Sequence, residues 1–324
     1  MLRTPICDLL GIDIPILSAP MGGVVAGGRL AAAVSAAGGL GLIGASTPLG
    51  SDWLRAQVEL VRSLTDKPFG VGFISHLPTV NALSETAREL RVRIVCHSFV
   101  DPAPFMPALR DAGAIVISQV GTVALALKAA EAGVDIIVAQ GTEAGGHTGR
   151  IATFPLVPAV VDAVSPIPVI AAGGIADGRG LAAALMLGAQ GVLMGTRFIA
   201  TPECEGRPTT RARVVEAGTG DTVLTEVFDL AKGMAWPEGV LGRSLANSFL
   251  RTWHGREAEL RSWTSEQRLA YRDRADEDPD AADVYAGEAS GLIHSVEPAA
   301  DVVRGIAADA EELLRSRSAS LLGH

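Results

Sequence analysis

The chain has 324 residues, of which 48% are hydrophobic and only 19% charged, with 37 glycines and a formal net charge of −9. This length fills one large α/β domain or two small ones, and the composition excludes a mostly disordered chain. The acidic balance excludes a broad basic surface for nucleic acid or anionic lipid, so a small-molecule ligand is expected.

In chain order, the N-terminal segment carries Asp8 and Asp13 where a signal peptide would be continuously apolar, and a cytoplasmic location is expected. Eight short apolar runs then follow, over 14–19, 39–43, 69–75, 92–96, 114–119, 135–140, 168–172 and 191–195. Ala-rich helical stretches separate them, over 28–37, 52–64, 79–90, 103–112, 122–132, 156–164 and 177–187. Alternation of this kind builds βαβ units, and eight of them close into a (β/α)₈ TIM barrel. An open doubly wound sheet shows the same alternation, but its GxGxxG turn is absent: the first strand is followed by Pro20, Met21, Gly22 and Gly23. The most apolar stretches, 31–44 and 181–195, are broken by glycines and too short for a bilayer.

Beyond residue 200 the chain turns polar and rich in Arg and Glu, with helical composition. A C-terminal helical lobe over 201–285, inserted over the barrel mouth, is expected, with 1–200 and 286–324 forming the barrel. The final amphipathic stretch closes the outer ring. Its apolar positions could serve a homodimer, which packing on its own barrel explains equally well.

In such a barrel the site lies at the carboxyl ends of the strands. After the seventh and eighth runs stand Gly173 and Gly174, then Met194, Gly195 and Thr196. Glycines let main-chain N–H groups approach a phosphate, and Thr196 adds a hydroxyl donor. One such turn alone would as readily be a tight βα connection, but two at the phosphate corner favour phosphate. After the sixth run, Gln140 leads into a Gly-rich loop that carries Glu143 and His147 over the mouth. An imidazole with a pKa near ~6.5 suits proton transfer. A surface histidine is the bland alternative, outweighed by the neighbouring corner. His97 and His76 are ambiguous, and His254 and His294 are read as structural. Cys7, Cys96 and Cys204 lie far apart, and no HxH or HExxH spacing exists, so no metal is expected. GxSxG and paired carboxylates are missing too, against familiar hydrolase chemistry.

Taken together, PILSAPMGGV, KPFGVGFI, the stretch ending AQGTEAGGH, PVIAAGGIADGRG, LMGTRFIAT and YAGEASGLIH resemble the nitronate monooxygenases, formerly 2-nitropropane dioxygenases. FMN-dependent enoyl and quinone reductases are their relatives. The resemblance implies FMN in contact with Ala19, Pro20, Met21, Gly22, Gly72, Gln119, Gln140, Gly145 and Gly146. Its phosphate would lie at Gly173, Gly174 and Leu193 to Thr196, and His147 would be the catalytic base facing the substrate. Relatives often carry Asn where Gly72 stands, and a Lys where this chain has Ser118 and Gln119. Ser290 matches the segment that lines the substrate side. The implied reaction oxidises an alkyl nitronate with O₂ to a carbonyl compound and nitrite. An NAD(P)H-dependent reductase of a quinone or enoyl thioester is the close rival. A sugar-phosphate isomerase or lyase is more distant, because it wants a Lys or Glu base that these strand ends lack.

Overall fold

The computed structural model describes residues 2–45 and 50–322. Met1, residues 46–49 and 323–324, all assigned above to the barrel, lie outside the described residues. The strands are β1 (Ile16–Ser18), β2 (Gly41–Ala45), β3 (Phe69–Ile74), β4 (Ile94–Ser98), β5 (Ile115–Val120), β6 (Ile136–Gln140), β7 (Gly146–Thr148), β8 (Val169–Ala172), β9 (Val192–Met194), β10 (Thr222–Thr225) and β11 (Leu241–Leu245). Eight of them pair in parallel in the order β1-β9-β8-β6-β5-β4-β3-β2. The two ends meet at the Leu17–Leu40 bridge, where Ser18 N donates to Leu40 O at 3.0 Å and Leu40 N to Ile16 O at 3.0 Å. The ring is thereby closed, as the alternation of runs predicted.

Strand side chains alternate between two apolar environments, which is why the runs read as continuous rather than alternating. Leu17, Leu42, Ile94, Cys96, Ile117, Ile136, Val138, Ile170 and Leu193 fill the barrel interior. Ile16, Ile43, Val71, Val95, Val116, Ile137, Val169 and Val192 face the helices. The short helix Pro5–Leu10 plugs one end, adding Ile6, Cys7 and Leu10 to the interior cluster. Proline begins that helix, and Gly11, at φ +69, ends it in the left-handed conformation. Around the strands, Thr122 caps helix Val123–Ala132 and Asp177 caps helix Gly178–Met186, each through its side-chain oxygen. Helix Ala299–Leu322 completes the outer layer with Val302, Val303, Ile306 and Ala310.

The segment 201–285 is helical, as its composition implied, but it also carries two strands. β10 and β11 are antiparallel, and β11 adds β7 on its other side, so that Gly242 lies opposite His147. Strands of four and five residues between polar flanks leave little periodicity to read. The helices here find a core of their own, in which Phe228, Phe249, Leu260 and Tyr271 pack together with Trp253 and Trp263.

Candidate active site

A cavity of about 1640 Å³ opens at the carboxyl ends of the strands. Its barrel side is formed by Ala19, Pro20, Met21 and Gly22 after β1, by Gln119 and Gln140 at the ends of β5 and β6, and by Gly173 and Gly174 after β8. Leu193, Met194, Gly195 and Thr196 follow from β9, and Gly145, Gly146 and His147 from the loop after β6. These sequence-predicted residues are brought together.

Gly72 and Ser290 are not on the cavity wall. Gly72 lies within β3, and a Cβ there would fall 2.3 Å from Pro20 Cβ; the bare backbone lets Pro20 lie across the barrel end. Ser290 is fully buried, and its hydroxyl donates to Gly287 O at 2.7 Å inside the 3₁₀ turn Glu288–Leu292. Neither is placed to touch a ligand directly.

At the turn expected to hold phosphate, Gly173 has φ +102 and Gly174 φ +71, backbone that favours glycine. Among the described residues, the amides of Gly173, Gly174, Gly195 and Thr196 make no hydrogen bond. Thr196 Oγ1 accepts from Gly287 N at 3.0 Å, which leaves its own hydrogen to donate elsewhere. Unpaired main-chain N–H groups at the carboxyl end of a barrel suit an anion. Alongside them, Gln119 Nε2 donates to Gln140 Oε1 at 3.0 Å, and Gln140 Nε2 to His147 O at 3.1 Å. This amide chain links the barrel end to the histidine loop.

Glu143, expected over the mouth, is committed to the fold: its carboxylate accepts from Thr153 N at 2.9 Å and from Thr153 Oγ1 at 2.8 Å. It thereby caps helix Thr153–Val164.

His147 sits on β7 with its side chain 9% exposed, and its Nε2 lies 2.9 Å from both oxygens of Asp229. The Trp236 ring lies face to face with the imidazole at 3.3 Å between centroids, tilted by 10°. Trp236 Nε1 donates to Asp229 Oδ1 at 3.1 Å, and the Tyr285 hydroxyl donates to the same oxygen at 3.4 Å. Burial, with the Asp283 and Asp229 carboxylates nearby, holds the Tyr285 phenol well above its ordinary range, so it stays a donor.

The two ambiguous histidines separate. His76 lines the cavity edge-on to Trp236, and burial lowers its pKa. His97 lies inside β4, where Cys96 belongs to the barrel interior and Ser98 lines the cavity, so His97 faces outward. It stacks on Phe105, its Nδ1 is 2.8 Å from Ser75 Oγ, and burial pushes its pKa down to about 4. His254 and His294 are exposed.

Asp229, Trp236 and Tyr285 were missed by the strand-end rule because they come from segments outside the barrel strands. One of only four tryptophans, directly before a proline in KGMAWPEGV, was the available signal. Beyond them the cavity wall carries Lys232, Arg207, Arg213 and Arg272. Lys232 pairs with Asp283 at 2.6 Å and Arg207 with Asp276 at 2.7 Å, whereas Arg213 donates to the carbonyls of Pro279 and Ala246, and Arg272 to that of Lys232. Among the described residues, no cluster of three or more His, Cys, Asp or Glu is placed to hold a metal, and no helix is long and apolar enough to cross a membrane.

A closed parallel barrel with open amides after its last two strands and a carboxylate-paired imidazole above them has the build of an enzyme barrel. The sequence matches the family described as nitronate monooxygenase over residues 3–90 and 77–309, and the chain belongs to that family. It is a nitronate monooxygenase-like oxidoreductase. An octahydro-indene-carboxyl-CoA dehydrogenase of Mycobacterium tuberculosis is 43% identical over 230 residues, 70% of this chain and 64% of that protein, so the match spans less than two thirds of the relative's length. A probable nitronate monooxygenase of Staphylococcus haemolyticus is 33% identical over 80% of this chain and 83% of its own. The solved structure of FabK from Thermotoga maritima superposes with a TM-score of 0.88 at 37% identity, covering 99% of this chain and 100% of that one.

Proposed function

We propose that the chain binds FMN at the barrel mouth and exchanges a hydride with a bulky acyl thioester, while His147 moves the accompanying proton. The cavity volume carries this reading. Pockets for a drug-sized ligand run to roughly 300–1,000 Å³, and about 1640 Å³ leaves room for a second large molecule beside FMN. The dehydrogenase of an acyl-CoA among the relatives supports the same substrate class.

The residues fit the cofactor. The open amides of Gly173, Gly174, Gly195 and Thr196 would take its phosphate, and the glycine backbone at 173 and 174 leaves the approach clear. Ala19 to Gly22 and the Gln119–Gln140 amide pair would border the ring system. When bound, FMN supplies hydride transfer. His147 then takes the proton of a substrate hydroxyl during oxidation and returns it to the carbonyl oxygen in reverse, or, for an enoyl thioester, supplies a proton to carbon. Trp236 covers one face of the imidazole, and the Tyr285 ring lies 5.2 Å from it between centroids.

Nitronate oxidation with O₂ is the second reading, favoured by the probable nitronate monooxygenase among the relatives. Against it, a nitronate is a small anion, and the imidazole it would meet is already matched by the Asp229 carboxylate.

Anaerobic additions to the FMN-loaded protein separate the two. A bulky hydroxyacyl-CoA should bleach the flavin, or, after reduction with NAD(P)H, an enoyl-CoA should restore its colour. Bleaching by propyl-2-nitronate with no response to either thioester would reverse the order of the readings.

A further inference from the structure

Asp229 belongs to helix Val227–Lys232, outside the barrel, yet its side chain is only 6% exposed. A buried carboxylate needs donors around it, and here they are identifiable. The indole N–H of Trp236 can only donate, and it reaches Oδ1 at 3.1 Å; the Tyr285 hydroxyl reaches the same oxygen at 3.4 Å. Both neighbours present hydrogens, which suits an ionised, acceptor-only carboxylate held in one orientation. The third neighbour is the imidazole, with Nε2 at 2.9 Å from each oxygen. Beside such a carboxylate, Nε2 must carry its hydrogen.

The surrounding chain is shaped for this contact. Gly242 lies opposite His147 in the β7–β11 pair, and a Cβ there would come 3.0 Å from Tyr285 Cε1 and 3.4 Å from His147 Nε2. A side chain at 242 would crowd both rings. No hydrogen bond from Nδ1 to a described residue accompanies the Nε2 contact.

We propose that Asp229 is a positioning residue that fixes His147 as the Nε2–H tautomer and so makes Nδ1 the atom that takes and returns the substrate proton. The inference rests on His147 moving a proton, as set out above. In the oxidising direction the Nδ1 lone pair would accept the hydroxyl hydrogen as a proton, and FMN, when bound, would be the acceptor for the hydride of the same carbinol carbon. The carbonyl forms, and the positive charge on the ring is offset by Asp229, which keeps its own charge throughout. Reduction runs these transfers backward.

The test uses the FMN-loaded protein with ¹⁵N-labelled histidine, read by long-range ¹H–¹⁵N spectra at a pH where the ring of His147 is neutral. Wild type should show Nε2–H. Asp229→Asn should move the ring toward Nδ1–H, because the amide can turn its NH₂ toward Nε2. Its kcat should fall on the order of 10²–10⁴-fold, with KM and FMN content little changed and partial recovery in Asp229→Glu. In a His147→Gln background the same change should cost nothing further. A wild-type ring protonated on Nδ1, or an Asn variant with unaltered tautomer and kcat, would overturn the assignment. The wild-type spectrum decides the matter by itself should Asp229→Asn not fold. Full activity in His147→Gln would instead defeat the proton-transfer reading and leave the tautomer measurement standing.

Discussion

One methyl group at residue 173 tests the anion corner. A Cβ on Gly173 would lie 2.9 Å from Gly141 O, 2.9 Å from Thr153 Oγ1 and 3.2 Å from Ala144 N, so two of its three neighbours are main chain that cannot swing aside. A Cβ on Gly174 would meet only the Glu143 side chain, at 3.4 Å, which is ordinary contact. Both glycines have positive φ, and alanine there carries strain of about 1–2 kcal/mol. Crowding adds on the order of 1–3 kcal/mol for Gly173→Ala alone. Gly173→Ala should therefore cost about 2–5 kcal/mol and Gly174→Ala about 1–2 kcal/mol. Where the turn shifts to relieve this, its amides move with it. If about 2 kcal/mol of that cost falls on binding, FMN should dissociate roughly 30-fold more readily from Gly173→Ala. The assay is quenching of FMN fluorescence on titration into apoprotein, with urea unfolding run in parallel to separate lost binding from lost folding. A folded Gly173→Ala protein that binds FMN as wild type does would refute the assignment of these amides to the phosphate.

Two further outcomes are expected away from the phosphate corner. Burial holds His97 near about 4, below the ordinary value of 6.5, so the unfolded chain binds a proton that the folded one refuses in that window. Stability present above the ordinary value is lost as pH falls through it toward the folded one, by up to about 3 kcal/mol; His97→Phe should flatten this acid slope in urea titrations, and parallel curves would count against it. Glu143→Ala removes the acceptor for Thr153 N and should lower stability by about 1–2 kcal/mol while leaving kcat within a few-fold, whereas a large fall in kcat at unchanged stability would show a chemical role.

The barrel was legible because its strands are buried on both faces: runs such as 135–140 are apolar throughout, and β6 falls within that run. The glycine turns were legible because the positive φ values found at 173 and 174 favour glycine. His147 could be picked out by its loop, but its partner could not. Asp229 lies 82 residues away, on a six-residue helix whose position depends on tertiary packing. His97 was ambiguous because the predicted run ended at 96, while β4 continues to Ser98 and its register turns the ring outward. Gly72 came from the strand-end reading as well as from resemblance, Ser290 from resemblance alone, and neither lines the cavity: one clears space for Pro20 and the other closes a turn.

Flavin occupancy is tested most directly by the visible absorption spectrum of the purified protein, followed by release and quantification of its chromophore. The open amides and the size of the cavity lead us to expect flavin bands and about one FMN per chain. A colourless protein that takes up no FMN when the cofactor is supplied would contradict the proposed function at its root.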